Sequence, residues 1–148
     1  MGGQPTASQV VYGLLDIIPP GAAMPLAAHF AVPVQAGAGL RVTLLTAIRL
    51  LPGDTRYLPV QLENTLVSVE ASGRTAEATG QVRLTGSGTA KTLWVLASAY
   101  DAAGNVIGVR RWESAAALNA NATVPFDFLV SSMGPGIARV EFLAEARP

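Results

Sequence analysis

The chain has 148 residues, half of them hydrophobic, so it can bury the core of one domain or of two small ones. Ten basic side chains balance ten acidic ones, and this neutrality provides no field that would attract nucleic acid or an anionic membrane. The absence of cysteine excludes disulfides, thiolate metal sites and cysteine nucleophiles. Charged residues form only 14% of the chain, which indicates that another chain or domain covers part of its surface.

The N-terminal region begins with a predicted flexible tail, residues 1 to 9, followed by apolar segments. Val10 to Leu15 is a predicted strand that ends before a Pro-Pro-Gly turn. Met24 to Val32 is a second predicted strand. Because Pro25 lies in it and Pro33 follows it, we expect this strand at a sheet edge or at a bulge. Because residues 13 to 34 also contain several prolines and an aspartate, we expect no membrane insertion there.

The segment from Leu40 to Leu51 fits a helix or a strand by periodicity alone. An internal repeat favours the strand. RVTLLTAIR (Arg41 to Arg49) aligns with RVEFLAEAR (Arg139 to Arg147), in which apolar and polar residues mostly alternate. The preceding segments also share a turn, a proline and an apolar strand. We therefore interpret residues 10 to 52 as a diverged copy of residues 106 to 148.

The rest of the chain reads as short strands separated by turns. Strands are predicted at Leu66 to Ala71, Ala76 to Leu84, Val124 to Val130 and Ala138 to Ala146. The alanine-rich stretch from Ser114 to Ala122 is predicted to be a loop. This spacing is typical of an antiparallel β-sandwich. The predicted organisation is an all-β chain with an N-terminal β segment at 10 to 62, which repeats the back half of a complete sandwich unit at 63 to 148.

A β-hairpin from Leu93 to Glu113 is the centre of that unit. Asp101 to Gly104 fits a type I turn whose glycine adopts the left-handed conformation as a bulge. Counting outward from Asp101 opposite Asn105 sets alternate residues of the two strands on one face. The predicted interaction face contains two tryptophans, a tyrosine and an arginine: Trp94, Tyr100, Arg110 and Trp112.

That face has two open interpretations. Its aromatic rings could bind a sugar ring or a side chain of a partner. Alternatively, the tryptophans pack in the core, and the tryptophan that immunoglobulin-type sandwiches often bury on a central strand favours this for Trp94. The opposite face of the hairpin is also apolar, so we expect a further segment to pack against the hairpin.

The segment GQVRLTGSGTAKTLWVLASAYDAAGNVIGVRRWE, with the strands that follow it, resembles the FxLYD-type modules, which are immunoglobulin-like sandwiches of bacterial and archaeal envelope proteins. The resemblance covers residues 63 to 148. Tyr100, Asp101 and Gly104 match the Tyr-Asp and the glycine of that pattern, whereas Ala97 and Ala99 replace larger apolar residues. The resemblance implies an immunoglobulin-like fold and an extracytoplasmic spacer, scaffold or interaction module.

No combination of side chains in the sequence predicts catalysis. The one histidine, His29, has no acidic neighbour in sequence, and Ser87 lies in a Gly-Ser-Gly loop without the strand-turn-helix context of a nucleophile. Asp101 and Asn105 offer too few ligands for calcium and are predicted to cap the turn. Asp127 is expected to face solvent, and the Asn121 glycosylation sequon is treated as accidental.

The predicted function is a non-catalytic structural, assembly or protein-interaction module without a cofactor. A carbohydrate-binding module that uses the aromatic face is the alternative. The expected partner is a protein, with a second copy of this chain among the candidates, bound through the N-terminal segment or through strand edges. Nucleic acid is not an expected partner.

Overall fold

The computed structural model describes residues 7–31 and 39–148. Within these ranges the chain forms eight strands and no helix, which confirms the predicted all-β class. The strands are β1 (Val60–Val69), β2 (Thr75–Leu84), β3 (Thr89–Ala90), β4 (Thr92–Tyr100), β5 (Val106–Glu113), β6 (Leu118–Asn119), β7 (Thr123–Ser131) and β8 (Arg139–Arg147).

The strands form two antiparallel three-stranded sheets, in the orders β1-β2-β7 and β5-β4-β8, and a short β3-β6 pair. Alternate residues of each strand point between the two sheets, where they form two apolar clusters with side chains from both. This arrangement is the predicted antiparallel β-sandwich. β1 begins earlier than predicted because Val60 to Glu63 also pair with β2, across a bulge next to Asn64, which has a φ of 52°.

Aromatic rings fill the centre of the larger cluster. Phe126 on β7 is 3% exposed, and its ring centroid lies 5.8 to 6.1 Å from those of Trp112, Phe128 and Phe142. The facing residue of β2 is Gly80, where a Cβ would approach the Phe126 ring to 2.6 Å. The glycine therefore leaves the space that the ring occupies.

The central hairpin turn confirms the prediction from its residues. The Gly104 amide donates to the Asp101 carbonyl, 3.1 Å away, and Gly104 has a φ of 84°. The Asp101 carboxylate accepts hydrogen bonds from the Asn105 side chain and from the amides of Asn105 and Ala103. The bonds from Asn105, first its side chain and then its amide, hold the pKa of Asp101 below its usual value.

Gly104→Val is expected to destabilise the sandwich by about 1–3 kcal/mol, because a β-branched residue adopts positive φ at a high cost. No heavy atom lies within 4 Å of a Cβ at Gly104, so the loss would come from backbone strain alone. Urea unfolding followed by circular dichroism measures it. Ala103→Val is the matched control in the same turn, and an equal loss in both variants would contradict the argument.

The register beyond the turn differs from the prediction by one residue. Tyr100 lies opposite Val106 as expected, but Ala99 then pairs with Gly108, so Ile107 is an extra residue in β5. A one-residue shift moves every later side chain to the other face of its strand. Trp94 consequently lies opposite Glu113, and Trp112 opposite Val95. The prediction that the two tryptophans share a face is wrong.

The predicted strands of the N-terminal segment are also absent. Residues 10–15, 24–31 and 40–51 contain no strand; Val32, the last residue of the second predicted strand, lies outside the described residues. The predicted repeat would place Arg41 to Arg49 in the position of β8, beside β4. Both edges of β4 are already paired, one with β5 and the other with β8 itself. A strand can pair only along a free edge, and β4 has none left beside it.

Candidate functional site

The sandwich divides the predicted interaction face between its two sides. Trp94 and Tyr100 lie on the outer face of the β5-β4-β8 sheet, whereas Trp112 and Arg110 lie on the inner face. Trp112 packs against the larger core cluster, and Arg110 is exposed at the sheet edge. The four residues therefore form no single platform.

Trp94 is half-buried among charged side chains and belongs to neither core cluster, so the expectation that it packs in the core is wrong. The guanidinium groups of Arg111 and Arg147 lie 4.2 and 4.3 Å from the centroid of its ring. Tyr100 has a similar neighbour, with the Arg139 guanidinium 4.0 Å from its ring centroid. These cation–π contacts occupy positions over the rings that a sugar would need.

The outer face of the β5-β4-β8 sheet is covered by residues 13–17, which we call the strap. Leu15 of the strap is 1% exposed, although it belongs to neither of the two core clusters. The face beneath, which we call the strap face, contains Leu96, which is fully buried without belonging to either cluster. The N-terminal segment thus packs on its own hairpin in this structure.

A buried carboxylate anchors the strap. Glu145 on β8 is 2% exposed, and its Oε2 accepts the amides of two consecutive strap residues, Asp16 at 2.6 Å and Ile17 at 3.0 Å. Its Oε1 accepts from Nε of Arg147 at 2.6 Å. A buried carboxylate is costly unless such partners satisfy it, and here two amides and one guanidinium do so.

Two arginines hold the strap from either side. Nη1 of Arg111 donates to the Leu14 carbonyl at 3.0 Å, and Nη2 of Arg147 lies 2.9 Å from Oδ2 of Asp16. Burial disfavours the charged form of Arg147, but its hydrogen bond to Glu145 and the charges of Glu145 and Asp16 outweigh this and raise its pKa. The strap is therefore bound by a charged network as well as by Leu15.

The strap bends instead of forming the predicted strand. A Cβ at Gly13 would overlap the Leu15 carbonyl oxygen and the Met24 methyl group, so the bend needs a residue without a side chain there. The Leu15 amide points at the Met24 sulfur, 3.3 Å away. This tight local structure turns the Leu15 side chain toward the sheet.

The segment from Leu40 to Leu51, which we call the apolar segment, is the second unusual surface. It forms no strand, and six of its seven large apolar side chains are 69% to 82% exposed: Leu40, Val42, Leu44, Leu45, Ile48 and Leu51. The seventh, Leu50, is partly buried. Single exposed apolar residues are ordinary, but a continuous run of this length is rare on the surface of a soluble monomer.

The remaining candidate residues have no further chemistry around them. His29, Ser87, Asp127 and Asn121 are exposed. In residues 7–31 and 39–148, no three His, Asp or Glu side chains group as metal ligands would. Glu145 and Leu15, which carry the strap contacts, were missed by sequence reasoning because the alternation of β8 makes Glu145 a solvent-facing residue of an outer face.

Comparisons of the chain with protein-family models, with curated proteins and with solved structures found no match. Within its described residues, the chain has no helix long and apolar enough to cross a membrane.

Proposed function

We propose that this chain is a non-catalytic structural or assembly module that binds protein partners, including a second copy of itself, through the apolar segment. The observation that carries the proposal is the exposure of that segment. Covering six large apolar side chains would contribute on the order of 10 kcal/mol before the entropy of association is subtracted. This gain is comparable with the entropy cost of association, so stable binding also requires main-chain hydrogen bonds to the partner.

Strand addition is the mode of binding that this segment fits. Its side chains follow the pattern of β8, whose repeat partner it is, and in the described chain no strand edge accepts it. An extended peptide can pair with the exposed edge of a sheet in another molecule, where its main chain gains hydrogen bonds and its alternate side chains gain an apolar surface. Each sandwich offers such edges on β1, β7 and β5, and on β8 outside the bridge between Leu58 and Ala146.

The resemblance to envelope modules supports an extracytoplasmic location and an immunoglobulin-like topology as parts of this proposal. Carbohydrate binding has less support. The platform it requires is divided between the two faces of the sheet, and the ring of Trp94 is already in contact with two guanidinium groups.

Charged substitution in the apolar segment tests the proposal. Light scattering across micromolar concentrations should show association of the natural chain, and the double variant Leu44→Glu, Ile48→Glu should remain monomeric. Both side chains are more than 70% exposed, so the variant should unfold at the same temperature as the natural chain.

The matched control places the same charges elsewhere on the surface. Met133 and Leu26 lie on no strand and are 93% and 52% exposed, and glutamate at both positions should leave association intact. A natural chain that is monomeric throughout this concentration range would overturn self-assembly. Equal loss of association in both double variants would show that added charge, not the apolar segment, controls it.

A further inference from the structure

We propose that the strap face is a binding site for an extended peptide of a partner protein, in which a large apolar residue precedes an acidic residue. The strap occupies this site as an internal ligand. The surface is separate from the apolar segment, so this inference and the proposed function can fail independently.

The contacts of the strap define the ligand. Glu145 binds two consecutive amides and Arg111 binds a carbonyl, so these contacts select an extended main chain without selecting its sequence. The site recognises the side chains of two residues of the bound segment. The site buries the side chain of Leu15 and pairs the carboxylate of Asp16 with Arg147. Other apolar-acidic segments meet the same requirements.

The strap leaves part of the site unsatisfied. Nε1 of Trp94 is buried without a hydrogen-bond acceptor among the described residues. Buried donors without acceptors are unfavourable. A partner peptide with an additional oxygen acceptor beside Trp94 would make hydrogen bonds that the strap does not make, and would therefore compete with it.

The strap can also leave without dismantling the sandwich. All eight strands lie between Val60 and Arg147, and Leu15 contributes to neither core cluster. Between the strap and β1, residues 18–31 and 39–57 contain no strand, so the described part of this connection has no ladder to break. Displacement would cost the strap contacts and little else.

A peptide titration tests the site in the full chain. In a Trp112→Phe background Trp94 is the single tryptophan, and its fluorescence reports on occupancy of the strap face. The probe is a peptide of residues 13–18 with a lysine tail for solubility. A chain with Leu15→Ala and Asp16→Ala in its own strap should bind the probe at least about tenfold more tightly than a chain with the natural strap, because the internal ligand no longer competes.

Two controls make the result specific. A probe with alanine at the positions of Leu15 and Asp16 should bind at least about tenfold more weakly. Arg111→Ala should weaken binding, whereas Arg110→Ala, which removes the same charge from the adjacent residue on the other face, should not. Circular dichroism verifies folding of each variant. No binding to the folded, strap-weakened chain would overturn the proposal, as would equal binding of the two probes or equal effects of the two arginine variants.

Discussion

Phe126→Ala is expected to lower the free energy of unfolding by about 4 kcal/mol, since removing a buried aromatic side chain loses its transfer energy and leaves a cavity. The Phe126 ring contacts two sheets at once, with Gly80 beneath it on β2 and the rings of Trp112 and Phe142 on the facing sheet. Backbone below and rigid rings around the site would prevent the cavity from collapsing. Urea unfolding measures the loss.

Leu129→Ala on the same strand is the control. Leu129 is 59% exposed, so its truncation should change stability by less than about 0.5 kcal/mol. The dependence of unfolding free energy on urea should be the same for both variants if each unfolds in two states. A loss below about 1 kcal/mol for Phe126→Ala would mean that the aromatic cluster is not the centre of the core.

The sandwich itself was predictable from the sequence because its strands and turns carry local signals. The central turn is specified by Asp101, Asn105 and Gly104, whose side chains or backbone freedom act within the turn. Alternation then identifies the strands β2, β4, β5, β7 and β8 to within one or two residues at most ends. Local chemistry is visible in sequence because both partners of each interaction lie close together along the chain.

The faces of the hairpin were not predictable by counting, because one extra residue in β5 reverses them. Gly108 was the available signal. A glycine inside a strand indicates a bulge or a close approach of another backbone, and here a Cβ at Gly108 would overlap the Ser131 carbonyl oxygen. That approach depends on β7, which is distant in sequence. The face of the sheet on which Trp94 lies therefore depends on a long-range contact, which the alternation of residues along the hairpin does not reveal.

The N-terminal segment shows a related limit. The strand predicted there from the proposed repeat is absent: the alternation of apolar residues is present, but β8 takes the position beside β4 that the repeat would assign to it. The strap was equally hidden, because its principal anchor, Glu145, lies far away in sequence and is of a residue type that is seldom buried. These two features are the ones that distinguish this chain from a plain sandwich.

Glu145→Ala is expected to cost about 2–4 kcal/mol, because it leaves the amides of Asp16 and Ile17 without an acceptor and Arg147 without its closest partner. The effect should be concentrated in the strap. Hydrogen exchange at the Asp16 and Ile17 amides should become fast, while amides in the β1-β2-β7 sheet, which do not contact Glu145, should keep more of their protection.

Glu141→Ala is the matched control, since Glu141 lies on the same strand and face but its side chain is 52% exposed and its ion pair among the described residues is with Arg139. That variant should change stability by less than about 1 kcal/mol and leave strap exchange slow. Combining Glu145→Ala with Leu15→Ala should cost less than the sum of the two single losses, because both changes release the same element. Additive losses would mean that Leu15 stays bound without Glu145, and that the carboxylate stabilises β8 without anchoring the strap.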